Sequence, residues 1–163
     1  MVASYQGKLQ SVTRESYPHV EQFMSRSFVT VTPDTDIYLA MDLILGRSSS
    51  AAMVVDSEKD RNLLGIVSEK DMLRIVTQNS YENESHGGPV SLFMTEHDKI
   101  ISVTPHTGLN EVAQHFLDYP FKKIPVLEDT RLVGIVRRWD VLRVVCDFHK
   151  KRLKYMKQAA TSH

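Results

Sequence analysis

Two short segments carry polar residues whose types and spacing suit the binding of a phosphorylated ribose. They are Gly65-Ile66-Val67-Ser68-Glu69-Lys70-Asp71 and Gly134-Ile135-Val136-Arg137-Arg138-Trp139-Asp140. A hydroxyl at a strand-to-helix junction forms an anion site together with the free N–H groups of the first helical turn. A carboxylate one turn later can accept two hydrogen bonds from vicinal ribose hydroxyls. The first segment therefore predicts that Ser68 faces a phosphate and that Asp71 holds a ribose.

The same residues have a purely structural interpretation. Ser68 and Asp71 resemble a capping box with Asp in place of the usual Glu or Gln, so both side chains could serve only to start a helix. Arg137 cannot act as that cap, yet Asp140 is still present, so capping does not explain the two copies equally. A helix-dipole role for Asp140 stays open.

Arg137 stands where the first segment has a serine. Its guanidinium could pair with an anionic ligand in a bidentate way, or it could fill the site and pair with a carboxylate instead. The two sites are therefore expected to differ.

The chain contains one pattern written twice. Residues 65–76 and 134–145 are identical at seven of twelve positions, Phe23-Met24 recurs as Phe93-Met94, and Val31-Thr32-Pro33 recurs as Val103-Thr104-Pro105. A unit of this length buries too little surface to be secure alone, which predicts that the two copies pack together about a pseudo-twofold axis.

Each copy predicts the elements β-α-β-β-α. Thr35 and Thr107 are placed to cap the first helices, whose apolar residues recur at helical spacing, and Gly46 would end one of them. The predicted strands are Val29–Val31, Ala52–Val55 and Leu63–Val67, and then Ile100–Val103, Ile124–Leu127 and Leu132–Val136. The second helices are predicted from about Glu69 to Gln78 and from about Arg138 onward.

This ordered set of motifs resembles the cystathionine-β-synthase (CBS) domain, present as the tandem pair called a Bateman module. The resemblance rests on Met24-Ser25 and Met94-Thr95, the Val-Thr-Pro steps, Ile124-Pro125-Val126 and the two Gly-Ile-Val-x-x-x-Asp segments. It implies an α/β (α+β) fold with repeats at 20–78 and 90–147. Residues 1–19 are then an N-terminal extension, 79–89 a polar linker and 148–163 a basic helical extension.

The resemblance implies an adenosine ligand such as AMP, ADP, ATP or S-adenosylmethionine in the clefts between the repeats, and a homodimer shaped as a flat disc. It also places the adenine against strands, where ordinary core packing is the alternative. The implied adenine contacts are Thr30, Met53 and Ile66 in one copy and Ser102, Ile124, Pro125 and Ile135 in the other. Lys122 and Lys123 could add charge around a polyphosphate, or could lie in a solvated loop.

Composition and motifs argue against several other classes. The 20 basic and 20 acidic residues cancel, which gives no overall attraction to nucleic acid or lipid. Apolar runs are too short for a membrane span and the first 22 residues lack a signal-peptide centre, so a cytoplasmic location is expected. Cys146 follows two valines and is predicted to be buried. No metal or catalytic motif is present, and the chain is predicted not to be an enzyme.

Although the net charge is zero, charged residues are unevenly distributed along the chain. Residues 137–163 hold eight basic and two acidic side chains, and their apolar residues keep helical spacing past the end of the second repeat. Packing on a second copy is the favoured explanation of this extension, ahead of docking on another protein or a solvated helix. The sequence thus predicts a regulatory module that reports adenosine-ligand occupancy to an unidentified partner; the alternative is a ligand-free structural or dimerisation module.

Overall fold

The computed structural model describes residues 16–82 and 87–161, and it contains the predicted β-α-β-β-α pattern twice. The predicted N-terminal extension up to residue 15, linker residues 83–86 and residues 162–163 lie outside the described residues. The strands are β1 (Val29–Val31), β2 (Ala51–Val55), β3 (Leu63–Ser68), β4 (Thr95–Glu96), β5 (Lys123–Glu128) and β6 (Arg131–Arg137). The helices are α1 (Ile37–Gly46), α2 (Glu69–Glu82), α3 (Leu109–Asp118) and α4 (Arg138–Thr161). The predicted α/β class is confirmed.

The strands form a four-stranded sheet in the order β1-β2-β3-β4 and a two-stranded sheet of β5 and β6. Within the first sheet β1 runs parallel to β2, whereas β2 and β3 form an antiparallel pair. The strand predicted at Ile100–Val103 is reduced to a single parallel bridge between Val103 and Val126, at the place that β1 occupies in the first copy.

The leading segments of the two repeats are exchanged. β4 precedes the second helix pair in sequence, yet it pairs with β3 of the first repeat, and Ser25 forms the equivalent bridge with Ile135 of β6. The backbone N–H of Val20 donates to the Thr107 carbonyl at 2.9 Å, and that of Val90 donates to the Thr35 carbonyl at 2.8 Å. Each repeat is therefore completed by the start of the other, as a pseudo-twofold axis requires.

The buried residues follow the same exchange. Val90 packs in the core of the first repeat and Val20 in that of the second. A third apolar cluster joins the two repeats and consists of Met53, Val55, Leu63, Leu132 and Ile135. Because all five are at most 6% exposed, this cluster is a buried apolar contact between the two repeats.

The helix starts differ from the prediction. Asp36, rather than Thr35, is the N-cap of α1, and its side chain accepts the Tyr38 N–H. Gly108 takes the corresponding place before α3 and offers no capping side chain. The two threonines instead accept backbone N–H groups of the Val-Thr-Pro turns, from Thr32 at 3.1 Å and from Thr104 at 3.0 Å.

Two further predictions are corrected at the second helices. α2 continues to Glu82, four residues into the stretch predicted as a linker. Cys146 is exposed, because the helical period turns it outward while Val144 packs inward. The prediction that this thiol is buried is wrong.

Gly65 tests the exchanged leading segment. A Cβ at this position would lie 2.5 Å from the Thr95 carbonyl oxygen and 3.0 Å from Met94 Sδ. Gly65→Ala is therefore expected to lower the free energy of unfolding by about 1–3 kcal/mol, because backbone must move. Gly46→Ala is the matched control, since a Cβ there meets nothing within 4 Å. It should stabilise α1 by about 0.5–1 kcal/mol. Urea unfolding measures both; equal stability of Gly65→Ala and the wild type would contradict the contact.

Candidate functional site

A cavity of about 280 Å³ lies between the two repeats, at the junction where β3 leads into α2. Its volume is just below the range for small-molecule sites, about 300–1,000 Å³. The first repeat contributes Ser68 and Asp71, and the second contributes the stretch from Pro120 to Lys123. The cavity therefore depends on the packing of both repeats.

Ser68 and Asp71 form a reciprocal pair at this junction. Asp71 Oδ2 accepts the Ser68 N–H and the Ser68 hydroxyl, both at 2.8 Å, and Ser68 Oγ accepts the Asp71 N–H at 3.3 Å. Asp71 Oδ1 lies 3.9 Å from Arg74 Nη2. One carboxylate oxygen thus starts the helix, while the other has a weaker cationic neighbour; the residue as a whole lines the cavity.

The two lysines are brought to the cavity of the first repeat, although they belong to the second. Lys122 Nζ lies 2.7 Å from Glu69 Oε1, and Lys123 Nζ donates to Ser49 Oγ at 2.6 Å. Burial is the main cause that lowers the pKa of Lys123; the Arg137 charge lowers it further and Glu69 opposes the shift. Both lysines therefore join the repeats and bring positive charge to the cavity that Ser68 also lines.

The residues implied as adenine contacts occupy one row across the first sheet. Thr30, Met53 and Ile66 are register partners on β1, β2 and β3. Only Ile66 of these borders the cavity. Met53 is 1% exposed within the core between the repeats, and the Thr30 hydroxyl donates to Glu58 Oε1 at 3.0 Å.

At the second junction, where β6 leads into α4, Arg137 and Asp140 form an ion pair. Arg137 Nε donates to Asp140 Oδ2 at 2.9 Å and Nη2 donates to Oδ1 at 2.8 Å. Asp140 is 6% exposed and also accepts the Arg137 N–H at 2.9 Å. The hydrogen bond to Asp140 raises the pKa of Arg137.

In this structure the guanidinium of Arg137 pairs with the chain's own carboxylate, as the second interpretation of this residue has it, and its contact with an anionic ligand stays a prediction. The structure also corrects the contrast drawn between the copies: both aspartates accept the N–H of the residue three positions earlier. The start of a helix therefore accounts for one carboxylate oxygen of each aspartate. The two aspartates differ in their other carboxylate oxygen. Asp140 Oδ1 accepts a hydrogen bond from Arg137, whereas Asp71 Oδ1 has only Arg74 at 3.9 Å.

The other residues implied in the second copy lie apart from the 280 Å³ cavity. Ile124 and Ile135 are at most 2% exposed in the core, and Pro125 is buried opposite Ile135. Ser102 is exposed. Their predicted contact with adenine stays a prediction.

Several cavity residues were not foreseen from the sequence. They form an apolar wall and one edge: Ile100, Pro120, Phe121, Thr95 and Arg74. Thr95 belongs to the Met94-Thr95 motif. The recurrence of this motif as Met24-Ser25 was the signal in the sequence that could have indicated a role for Thr95. Nothing local in the sequence indicated that such a segment crosses to the other repeat.

Over residues 16–82 and 87–161, no three His, Cys, Asp or Glu side chains gather in a way that could hold a metal ion. The helices of the same ranges include none that combines the length and apolar character of a membrane span.

A family model of the CBS domain matches residues 20–78 and 90–147. A relative, the mitochondrial CBS domain-containing protein CBSX3 of Arabidopsis thaliana, is 32% identical over 129 residues, which are 78% of this chain and 61% of the relative. The inosine-5'-monophosphate dehydrogenase of Aquifex aeolicus is 30% identical over 137 residues, 83% of this chain and 26% of that enzyme. The chain thus spans less than two thirds of either relative's length.

A similar fold occurs in a crystal structure of CBSX2 from Arabidopsis thaliana in complex with AMP. The superposition gives a TM-score of 0.70 at 26% sequence identity, and it covers 81% of this chain and 98% of that one. The likeness therefore extends over both repeats and the junctions between strands and helices.

Proposed function

Because the chain belongs to the CBS domain family and carries two copies in tandem, we propose that it is a regulatory module that binds an adenosine-containing ligand in the cavity between its repeats. The observation that carries the proposal is the meeting of Ser68, Asp71, an apolar wall and two lysines around one 280 Å³ cavity. The AMP complex of CBSX2, which shares this fold, supports AMP as the first ligand to test.

Each part of the ligand has a matching group in the cavity. The ribose hydroxyls donate to Asp71, whose Oδ1 is not engaged by Ser68. The phosphate lies at the start of α2, near the Ser68 hydroxyl and the two lysine ammonium groups. The base packs on Ile66 and the apolar wall of Ile100, Pro120 and Phe121. ADP, ATP and S-adenosylmethionine differ from AMP at the end that faces the lysines.

Ligand binding directly affects the contacts that position one repeat relative to the other. The Lys122–Glu69 and Lys123–Ser49 contacts cross from one repeat to the other. A phosphate competes for both ammonium groups and so favours a different arrangement of the same two surfaces. Regulation requires this difference, since a ligand that binds both arrangements equally shifts no population.

We propose one ligand per chain. At the second junction Asp140 has both oxygens in bonds with Arg137, whereas Asp71, which lines the cavity, has only Arg74 at 3.9 Å from its Oδ1. The proposed role is binding rather than catalysis. The homodimer and the cytoplasmic location stay predictions, and the name of the CBSX3 relative assigns that protein to mitochondria.

A ligand-free structural module is the second candidate, and one observation favours it. Asp71 Oδ2 and Ser68 satisfy each other in a complete helix-starting arrangement. In that case the cavity would have no occupant, and the two lysines would serve only to hold the repeats together.

Thermal unfolding with AMP, ADP, ATP and S-adenosylmethionine separates the candidates. A ligand at one hundred times its dissociation constant stabilises the fold by about 2.7 kcal/mol. For a chain of this size, that corresponds to an increase of about 5–10 °C in the melting temperature. Calorimetry with the same ligand should give one site per chain. If none of the four moves the melting temperature, the structural candidate is favoured and the sensor proposal fails.

A further inference from the structure

One acidic side chain of the cavity between the repeats has no part in the proposed binding of AMP. Two carboxylates line this cavity, and the proposed complex assigns that of Asp71 to the ribose. The other belongs to Glu69, the first residue of α2. The cations that line the same cavity are Lys70, Arg74, Lys122 and Lys123. Glu69 thus adds a negative charge at the end of the cavity where the phosphate is proposed to lie.

Contacts with both repeats fix the position of Glu69. Its backbone N–H donates to the Ser50 carbonyl at 2.9 Å, which holds the start of α2 against the residue before β2. Its Oε1 lies 2.7 Å from Lys122 Nζ, which belongs to the other repeat. The Glu69 side chain is 51% exposed and that of Lys122 is 68% exposed. A ligand in the cavity can therefore reach both members of this ion pair.

The backbone at this junction has few donors left for a phosphate. The N–H groups of Ser68 and Asp71 are used in the helix-starting pair, and that of Glu69 is used by Ser50. A phosphate in the cavity therefore obtains most of its opposite charge from lysine side chains.

Glu69 reduces the positive charge that these lysines offer. It pairs directly with Lys122, whereas Lys123 Nζ bonds to the Ser49 hydroxyl. Burial and the Arg137 charge lower the pKa of Lys123, and the Glu69 charge opposes that shift. The carboxylate thus acts on both ammonium groups that a phosphate would use.

This balance of charge suits one phosphate group better than three. A phosphate monoester carries a charge of about −1.5 to −2 at pH 7. The further phosphoryl groups of ADP and ATP add negative charge beside the Glu69 carboxylate, and like charges brought together on binding disfavour the complex. The cavity volume of about 280 Å³, just below the usual range for small-molecule sites, also favours the smaller ligand.

We infer that Glu69 limits the number of phosphate groups that the cavity accepts, so that the site selects a nucleoside monophosphate over the corresponding di- and triphosphates. The carboxylate repels the added phosphates and keeps Lys122 from pairing with them. The adenosine part of the ligand makes no contact with it. The inference rests on the proposed function, because it concerns specificity in the same cavity.

Calorimetry on the full chain with AMP and with metal-free ATP tests this inference. The measured quantity is the dissociation constant for ATP divided by that for AMP, and this ratio is expected to exceed about ten in the wild type. Glu69→Gln removes the charge at nearly constant size and should lower the ratio about five- to tenfold. Glu69→Asp keeps the charge and should leave the ratio within about twofold of the wild-type value.

Glu111→Gln is the matched control for net charge. Glu111 lies in the first turn of α3, as Glu69 does in α2, and its Oε1 is 3.7 Å from His115 Nε2. It is not among the residues that line the cavity. The ratio should therefore keep its wild-type value, and a fall equal to that in Glu69→Gln would contradict the inference. Thermal unfolding without nucleotide verifies that each variant is folded.

The possible results separate this inference from the proposed function. If the wild type binds AMP and Glu69→Gln leaves the ratio unchanged, the inference fails and the proposed function stands. The same holds if the wild type binds ATP at least as tightly as AMP. Weaker binding of ATP by Glu69→Gln in excess Mg²⁺ would also overturn the inference, because the carboxylate would then hold the metal of a nucleotide complex. If neither nucleotide binds to the wild type, the inference fails together with the nucleotide part of the proposed function.

Discussion

Replacement of Asp71 by Asn is expected to weaken AMP binding about a hundredfold. The carboxylate accepts charge-assisted hydrogen bonds from the ribose in the proposed complex, and each is stronger than its neutral counterpart by about 1–1.5 kcal/mol. Two such bonds correspond to about 2–3 kcal/mol, or about a hundredfold in the dissociation constant. Isothermal calorimetry with AMP measures the change.

The amide of this variant still accepts the Ser68 N–H, so the start of α2 is retained and the stability loss should stay near 1 kcal/mol or less. Asp140→Asn is the matched control, because it makes the same change at the junction that Arg137 closes. It should lower stability without weakening AMP binding. Unchanged affinity in the Asp71 variant would refute the ribose assignment, even if the sensor function itself were correct.

Arg137→Ser is expected to create a second AMP site and to raise the stoichiometry from one to two per chain. The variant restores the Ser-x-x-Asp spacing of the first junction and releases the oxygens of Asp140 that the guanidinium holds. The new site should be weaker than the first. In the sheets Ala51 is the register partner of Ser68, and Lys123 is the register partner of Arg137. Ala51 is therefore the counterpart of Lys123 in the first repeat, so the second site has no lysine at this place.

Removal of the ion pair should also lower the free energy of unfolding by about 1–2 kcal/mol, since a serine hydroxyl replaces only part of the guanidinium bonding. Arg131→Ser removes the same charge at the other end of β6 and serves as the control for net charge. Calorimetry at AMP concentrations above the first dissociation constant distinguishes one site from two. A single site in the Arg137 variant would show that more than the guanidinium closes this junction.

Most helices and strands could be predicted from the sequence because they depend on local periodicity. Alternation and apolar runs place β2, β3, β5 and β6 within one residue of their observed ends. Helical spacing places α1 and α3, and the duplicated pattern identified the family. These patterns depend only on residues that are near one another in the chain, so a single sequence is enough to detect them.

Side-chain pairing across the molecule could not be predicted in the same way. Thr35 and Asp36 are both good capping residues, and only the exact start of α1 decides between them. The valines beside Cys146 suggested burial, but the outward phase of α4 decided its exposure. The packing of the repeats brings Lys122 and Lys123 to the cavity at the junction of the other repeat, which no local pattern indicates. Arg137 allowed two partners, and the structure shows it paired with Asp140.

The exchange of leading segments has a consequence for the synthesis of the chain on the ribosome. Ser25 is made early, but its strand partner Ile135 follows 110 positions later. At about 5–20 residues per second, this segment waits roughly 5–20 s for its partner. The first repeat likewise lacks β4 until residue 96 has emerged. The first repeat therefore cannot complete its sheet during its own translation, whereas the second repeat finds its leading segment already made.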